Sequence, residues 1–278
     1  MGDGGAPCPQ PAHRGFHWRI WAAEAAATAL LLLCVLSAAA LDFGAGSPVA
    51  DAVSSTSVRL LLTGVLVGAS VALIAVSPLG KLAGGHLNPA VTLAFGVLGR
   101  VSRHDLAGYL VAQFTGALIG ALVFHLLWGS VALSVRGGVT HPRVATPAAL
   151  ALEAGMTGLL VATIFLFVSR ARLARWTPLA VWALLAVLIW KLSPYTGSSL
   201  NPARSEGPAF AFSDLPDLWI YFVGPLVGAL GIALLWRGAR PSMHPKTAKL
   251  FHDRRYACSL ASDLPAMAPG RRMIPREV

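Results

Sequence analysis

Charge is what this sequence has least of. Only 12% of its 278 residues are charged, about half the fraction a soluble protein carries. A surface so poor in charge does not cover a water-soluble fold, and 55% of the chain is hydrophobic. Cysteine is scarce as well. Cys8, Cys34 and Cys258 are the 3 cysteines, and their spacing matches no metal site and implies no disulfide framework. The chain lacks a glycine-rich phosphate loop, a nucleophile elbow and any paired-carboxylate constellation; "GKLAGG" has the wrong spacing for a phosphate loop. No enzymatic activity, no cofactor and no bound metal are expected. Acidic residues number 12 against 22 basic ones, for a net charge of +10. The basic residues sit between apolar stretches and in the tails, so no nucleic-acid partner is expected.

Long apolar runs are abundant. Six reach the length that crosses a hydrocarbon core of about 30 Å: roughly 19–41, 58–80, 104–129, 147–169, 176–194 and 217–237. The lipid bilayer is therefore the expected environment. Arg14 and Arg19, Arg100 and Arg103, Arg170, Arg172 and Arg175, and the basic residues after Arg237 follow the bias of cytoplasmic segments. An even number of spans puts both termini on that side. Segment 130–146, with Arg136 and Arg143, runs against the bias. Residues 1–18 and 238–278 have no apolar period and read as mostly disordered tails, the second one basic. The channel-like region is 19–237.

The two halves of that region, 19–129 and 147–237, repeat one pattern. Glu24 opens the first span and Glu153 the fourth. "NPA" follows the second span and the fifth. "QFTGALIGAL" (113–122) matches "YFVGPLVGAL" (221–230). Three spans per half force the second half to enter the bilayer from the opposite face, an inverted-topology repeat whose interface holds the transport path in such folds.

Asn is a favoured helix N-cap, Pro is favoured in the first helical position, and Ala is small and helix-forming. Asn88-Pro89-Ala90 and Asn201-Pro202-Ala203 thus each read as a helix start. The apolar stretch after the first start is short, and about ten residues span only about 15 Å, half the core. Two such half-helices entering from opposite faces would meet at the midplane with their positive dipole ends together. The irregular lead-ins, Gly80 to Leu87 and Tyr195 to Leu200, are tolerable only along a watery path or inside protein. The fold class expected is all-α and membrane-spanning: six transmembrane helices plus two half-helices meeting at the midplane.

"GGHLNPAVT", the "NPARS" continuation, a Glu near the start of each repeat and "GPLVGAL" in the last span together resemble the major intrinsic protein family, the aquaporins and glycerol facilitators. The resemblance covers about residues 20 to 237. It implies a homotetramer with one pore per subunit, passing water and small neutral solutes. It implies a filter of four positions: Arg204, Ser198, Ile189 and Gly68, with a one-residue slip to Val67 left open. That set carries neither the aromatic and His of strict water channels nor the two aromatics of glycerol facilitators. Ser205, Ala209, Tyr221 and Phe222 resemble the water-channel side. Pore-lining carbonyls are expected from Gly84, Gly85, His86, Gly197 and Ser199, and a scaffold role for Glu24 and Glu153, which would accept hydrogen bonds from the loops.

The expected function is a passive channel for water and small uncharged solutes that excludes protons and ions. Glycerol, urea, ammonia, hydrogen peroxide or a metalloid acid as the main solute is an open alternative. A proton-coupled transporter is another, but it would need a titrating residue where the midplane offers two asparagines. The expected location is a plasma membrane, a bacterial inner membrane by composition, with both termini cytoplasmic.

Overall fold

The structure is a computed structural model and describes residues 7–8, 16–239, 243–253, 255–256, 260 and 262–265. In chain order the helices are α1 (Trp18–Phe43), α2 (Pro48–Ala52), α3 (Thr56–Val76), α4 (Pro78–Ala83), α5 (Pro89–Val97), α6 (Arg103–Trp128), α7 (Ser130–Ser134), α8 (Thr146–Val168), α9 (Ala171–Ala174), α10 (Thr177–Thr196), α11 (Pro202–Ala211) and α12 (Ile220–Arg237). Two short antiparallel strands, β1 (Pro7–Cys8) and β2 (Ser262–Pro265), join parts of the two tails. Six helices, α1, α3, α6, α8, α10 and α12, are long and apolar enough to cross a membrane. Their outer faces carry exposed Leu73, Val111, Leu126 and Leu235, apolar surface that is stable against lipid tails and not against water.

The second span is shorter than the sequence suggests. Proline disfavours helical backbone in the residue before it, and Ser77 before Pro78 is extended, at φ −71° and ψ 168°. The Ser77 hydroxyl then accepts from Gly80 N and starts α4. The first irregular lead-in therefore contracts from 80–87 to 84–87. The second contracts from 195–200 to 197–200, because α10 continues through Pro194 to Thr196.

Three helix pairs form the frame: α1 on α6, α8 on α12, and α3 on α10 across the repeats. Glycine brings each pair together. A Cβ built on Gly116 would lie 2.3 Å from Ala25 O, one on Gly228 would lie 2.0 Å from Ala154 O, and one on Gly64 would lie 2.6 Å from Ala186 O. No side chain fits there, which is the small-residue helix packing known from membranes. Each half-helix leans on the other repeat: α11 packs on α6 and α5 on α12. The fold is thus nearly all helical, with six spans and two half-helices in an inverted repeat.

The described part of the basic C-terminal stretch is packed, not loose. Thr247, Ala248, Lys249 and Leu250 are all buried because they lie against the loop before α5 and the end of α8. No apolar period announces it, since the contacting segment is irregular and not a helix. Residues 1–6 and 9–15 of the N-terminal stretch, and 266–278 at the other end, lie outside the described residues.

Candidate functional site

The two lead-in loops share one backbone signature. "GGHLN" at 84–88 and "GSSLN" at 197–201 have positive φ at their first, second and fourth positions. The angles are 101°, 66° and 57° at Gly84, Gly85 and Leu87, and 80°, 48° and 55° at Gly197, Ser198 and Leu200. Left-handed backbone at Ser and Leu is strained, so the surroundings hold it in place. Two buried carboxylates do so. Glu153 accepts from Ser199 N at 3.0 Å, from Leu200 N at 2.9 Å and from Thr196 Oγ1 at 2.8 Å. Glu24 accepts from Leu87 N at 2.6 Å and from Gln113 Nε2 at 2.9 Å. Two tyrosines finish the work: Tyr109 donates to Ala83 O and Tyr221 to Thr196 O, in each case the carbonyl five residues before the Asn.

Each loop delivers an Asn to the molecular centre. Asn88 Oδ1 accepts from Ala90 N at 2.9 Å, and Asn201 Oδ1 accepts from Ala203 N at 3.0 Å, so both are the N-caps their sequence predicts. The amide groups cross over. Asn88 Nδ2 donates to Leu200 O at 2.9 Å, and Asn201 Nδ2 donates to Leu87 O at 2.8 Å. An amide nitrogen carries two hydrogens, so one remains on each Asn. Pro89, Ala90, Pro202 and Ala203 are buried behind them in the first turns of α5 and α11.

Both asparagines line a cavity of about 430 Å³. From the far end it runs past Phe43 and Thr56, then Thr63, Val67, Ile189, Ser198, Arg143 and Arg204, then the asparagines, and on to His86, Leu160 and Leu250 on the side of the termini. Most of its wall is apolar, and the polar groups converge at the middle and the far end. Ile189, Ser198 and Arg204 of the expected filter are on the wall. Gly68 is not. It packs on Trp182, where a Cβ would lie 2.5 Å from Cδ1, and the wall residue of α3 is its neighbour Val67. A one-residue slip on a helix turns a side chain by 100°, which is the whole difference between wall and helix contact. Trp190 does not reach the wall; its Nε1 donates to Ser57 Oγ.

Of the expected loop carbonyl residues, His86, Gly197 and Ser199 border the cavity, joined by Leu87 and Leu200. Gly84 and Gly85 do not border it, and Gly84 O accepts from Leu250 N at 3.0 Å instead. The His86 ring has its own partners, Thr92 Oγ1 at 3.1 Å and Ala248 O at 2.6 Å. Sequence reasoning missed Thr63, Arg143 and Leu250. Arg143 had left a signal as a positive charge in the wrong loop. Its N–H donates to Tyr195 O, which fixes that loop over the far mouth. Arg204 is not turned toward Glu206; its Nη1 donates to Gly138 O at 2.9 Å.

The comparisons with known proteins agree with this geometry. A family model described as "Major intrinsic protein" matches residues 12–236. The chain belongs to the major intrinsic protein family. It is 33% identical over 216 residues to Aquaporin-4 of Bos taurus, a match covering 77% of this chain and 64% of that protein. It is 34% identical over 170 residues to Aquaporin Z of Brucella melitensis biotype 1, covering 57% of this chain and 74% of that one. The chain thus spans less than two thirds of the length of Aquaporin-4. The X-ray structure of the aquaglyceroporin from Plasmodium falciparum superposes with a TM-score of 0.63 at 20% identity, over 81% of this chain and 97% of that one, and shares the fold. With this family and six candidate spans, the chain is a multi-pass membrane protein.

Proposed function

We propose that the protein is a passive channel for water and small uncharged solutes. The observation that carries the reading is the pair of crossed asparagines. Asn88 and Asn201 are each capped, each bound to the other loop's carbonyl, and together they border one cavity. Solute in single file would take hydrogen bonds from the remaining amide hydrogens and give its own to loop carbonyls. Neither Asn titrates, so the midplane has no proton relay. The positive ends of α5 and α11 meet there and oppose cations and protons.

The filter of this reading is Val67, Ile189, Ser198 and Arg204, with Thr63 and Arg143 beside it. Two guanidiniums on the far wall repel cations and offer fixed donors. Val67 and Ile189 make the opposite wall apolar, and the set has no bulky aromatic. That supports a wider constriction, open to neutral solutes larger than water. Glu24 and Glu153 act as loop scaffolds. The termini face the cytoplasm, the membrane is a plasma membrane, and the chain works as a homotetramer without chemistry on its solutes, in keeping with the family.

Stopped-flow light scattering on proteoliposomes tests the reading, with water, glycerol and urea as solutes and an enclosed pH dye for protons. Water flux above that of bare vesicles, without proton leak, is expected. Val67→Phe should cut glycerol and urea flux more than water flux. Flux driven by a proton gradient would mean a coupled transporter instead.

A further inference from the structure

The C-terminal segment 243–253 crosses the mouth of the cavity on the side of the termini. It is held at both ends and in the middle. Ser169 Oγ donates to Met243 O, Lys246 N donates to Val168 O at 3.0 Å, and the Lys81–Asp253 ion pair closes the far end at 3.1 Å. Between them the segment pairs with the lead-in loop of α5. His86 Nε2 donates to Ala248 O at 2.6 Å, Leu250 N donates to Gly84 O at 3.0 Å, and Lys249 Nζ donates to Lys81 O at 2.8 Å. Leu250 is 2% exposed, and its side chain forms part of the cavity wall beside His86.

Those bonds occupy a group that faces the path and anchor the segment beside it. A donor of the His86 ring, which borders the cavity, is taken by tail backbone, the Gly84 carbonyl behind it holds Leu250 N, and an apolar side chain stands where the path should open to water. We propose that the segment is a built-in plug: docked, it closes the channel on the side of the termini, and release of Leu250 opens it. The proposal rests on the channel reading above. The second tail piece braces the plug from outside, through Thr247 paired with Ser262 and Asp263 N on Lys246 O. Leu260 packs against Gly84 beneath it.

The full-length chain tests it in two measurements. Water flux is read in proteoliposomes for the wild type and Leu250→Asp, whose carboxylate cannot stay buried among apolar walls. Trypsin cleavage after Lys249 is followed by mass spectrometry in detergent. The expected result is a Lys249 bond protected in the wild type and cut in the variant. Flux should rise roughly tenfold, the change for a docked form holding about nine tenths of the population. Asp253→Ala, outside the cavity wall, should raise flux less and in the same direction. If Lys249 becomes cleavable while flux stays at a wild-type level that is above bare vesicles, the tail leaves without unblocking anything and the plug is overturned. Equal cleavage in wild type and variant overturns the docking itself. Flux no higher than bare vesicles in every variant, with Lys249 cut in Leu250→Asp, overturns the channel reading instead.

Discussion

Glu24 and Glu153 occupy equivalent places, yet their oxygens are used differently. Both Glu153 oxygens accept backbone N–H groups, Ser199 N on Oε1 and Leu200 N on Oε2. At Glu24 the bonds from Leu87 N and Gln113 Nε2 both fall on Oε1, and Oε2 is buried without a partner. A Gln offers one oxygen and one NH₂. At position 24 the NH₂ can take the place of Oε2, so that the bonds from Leu87 N and Gln113 Nε2 to Oε1 are kept. At position 153 it must face a backbone N–H, leaving a buried donor unsatisfied at a cost of about 1–3 kcal/mol. Glu153→Gln should therefore lower the unfolding temperature in detergent clearly more than Glu24→Gln does. Equal losses would mean the carboxylates act through charge and not through their acceptor count. Gly68 and Val67 likewise differ by position and not by kind. Nothing in their chemistry marks one as wall and the other as contact; only the rotation of α3 does.

Among the elements, the glycine-mediated pairs carry the clearest prediction. Gly228 of α12 lies so close to α8 that a Cβ would meet Ala154 O at 2.0 Å, whereas around Gly231, one turn on, nothing lies within 4 Å. Gly231→Ala gains helix propensity, up to about 1 kcal/mol in a water-exposed helix. Gly228→Ala must push two backbones apart, with a strain of about 1–3 kcal/mol. Thermal unfolding of the two variants should move in opposite directions. A shared direction would show that α8 and α12 yield more easily than their packing implies. The half-helices depend on the same frame. At 9 and 10 residues, α5 and α11 are too short to persist alone, so they exist because the other repeat's third span supports them.

For the whole molecule, docking of the tail as proposed should make flux depend on pH. Burial pulls the Lys249 ammonium down from 10.5 to about 8, with Asp253 opposing the shift. In an undocked tail the group keeps its ordinary value. The docked state thus binds this proton more weakly, so docking gains strength as pH climbs from about 8 toward 10.5, and below about 8 the full penalty applies. Asp253 has the opposite character: Arg255, with help from Lys81, holds its carboxyl below the usual range. Its contribution is present at neutral pH and fades only in strong acid. Water flux through the wild type should therefore fall as pH climbs from about 8 toward 10.5, and Lys249→Met should flatten that profile. Matching profiles would separate the pH response from Lys249.

Much of this protein was legible in one dimension because its strongest signals are local. Span length follows from apolar runs, a helix start follows from Asn-Pro-Ala, and a repeat follows from like residues in like order. Those rules rest on backbone geometry and solvent, which do not wait for the rest of the chain. What the sequence could not supply was direction and distance. Which residue of α3 faces the cavity, where Arg143 ends up, and which carbonyls stay open to a solute depend on how helices rotate and which loops lie over them. The tail is the sharpest case. Thr247 to Leu250 have no periodicity to announce a role. Only the folded chain supplies the His86 ring, the Gly84 carbonyl and the apolar mouth that give these four residues a place to bind.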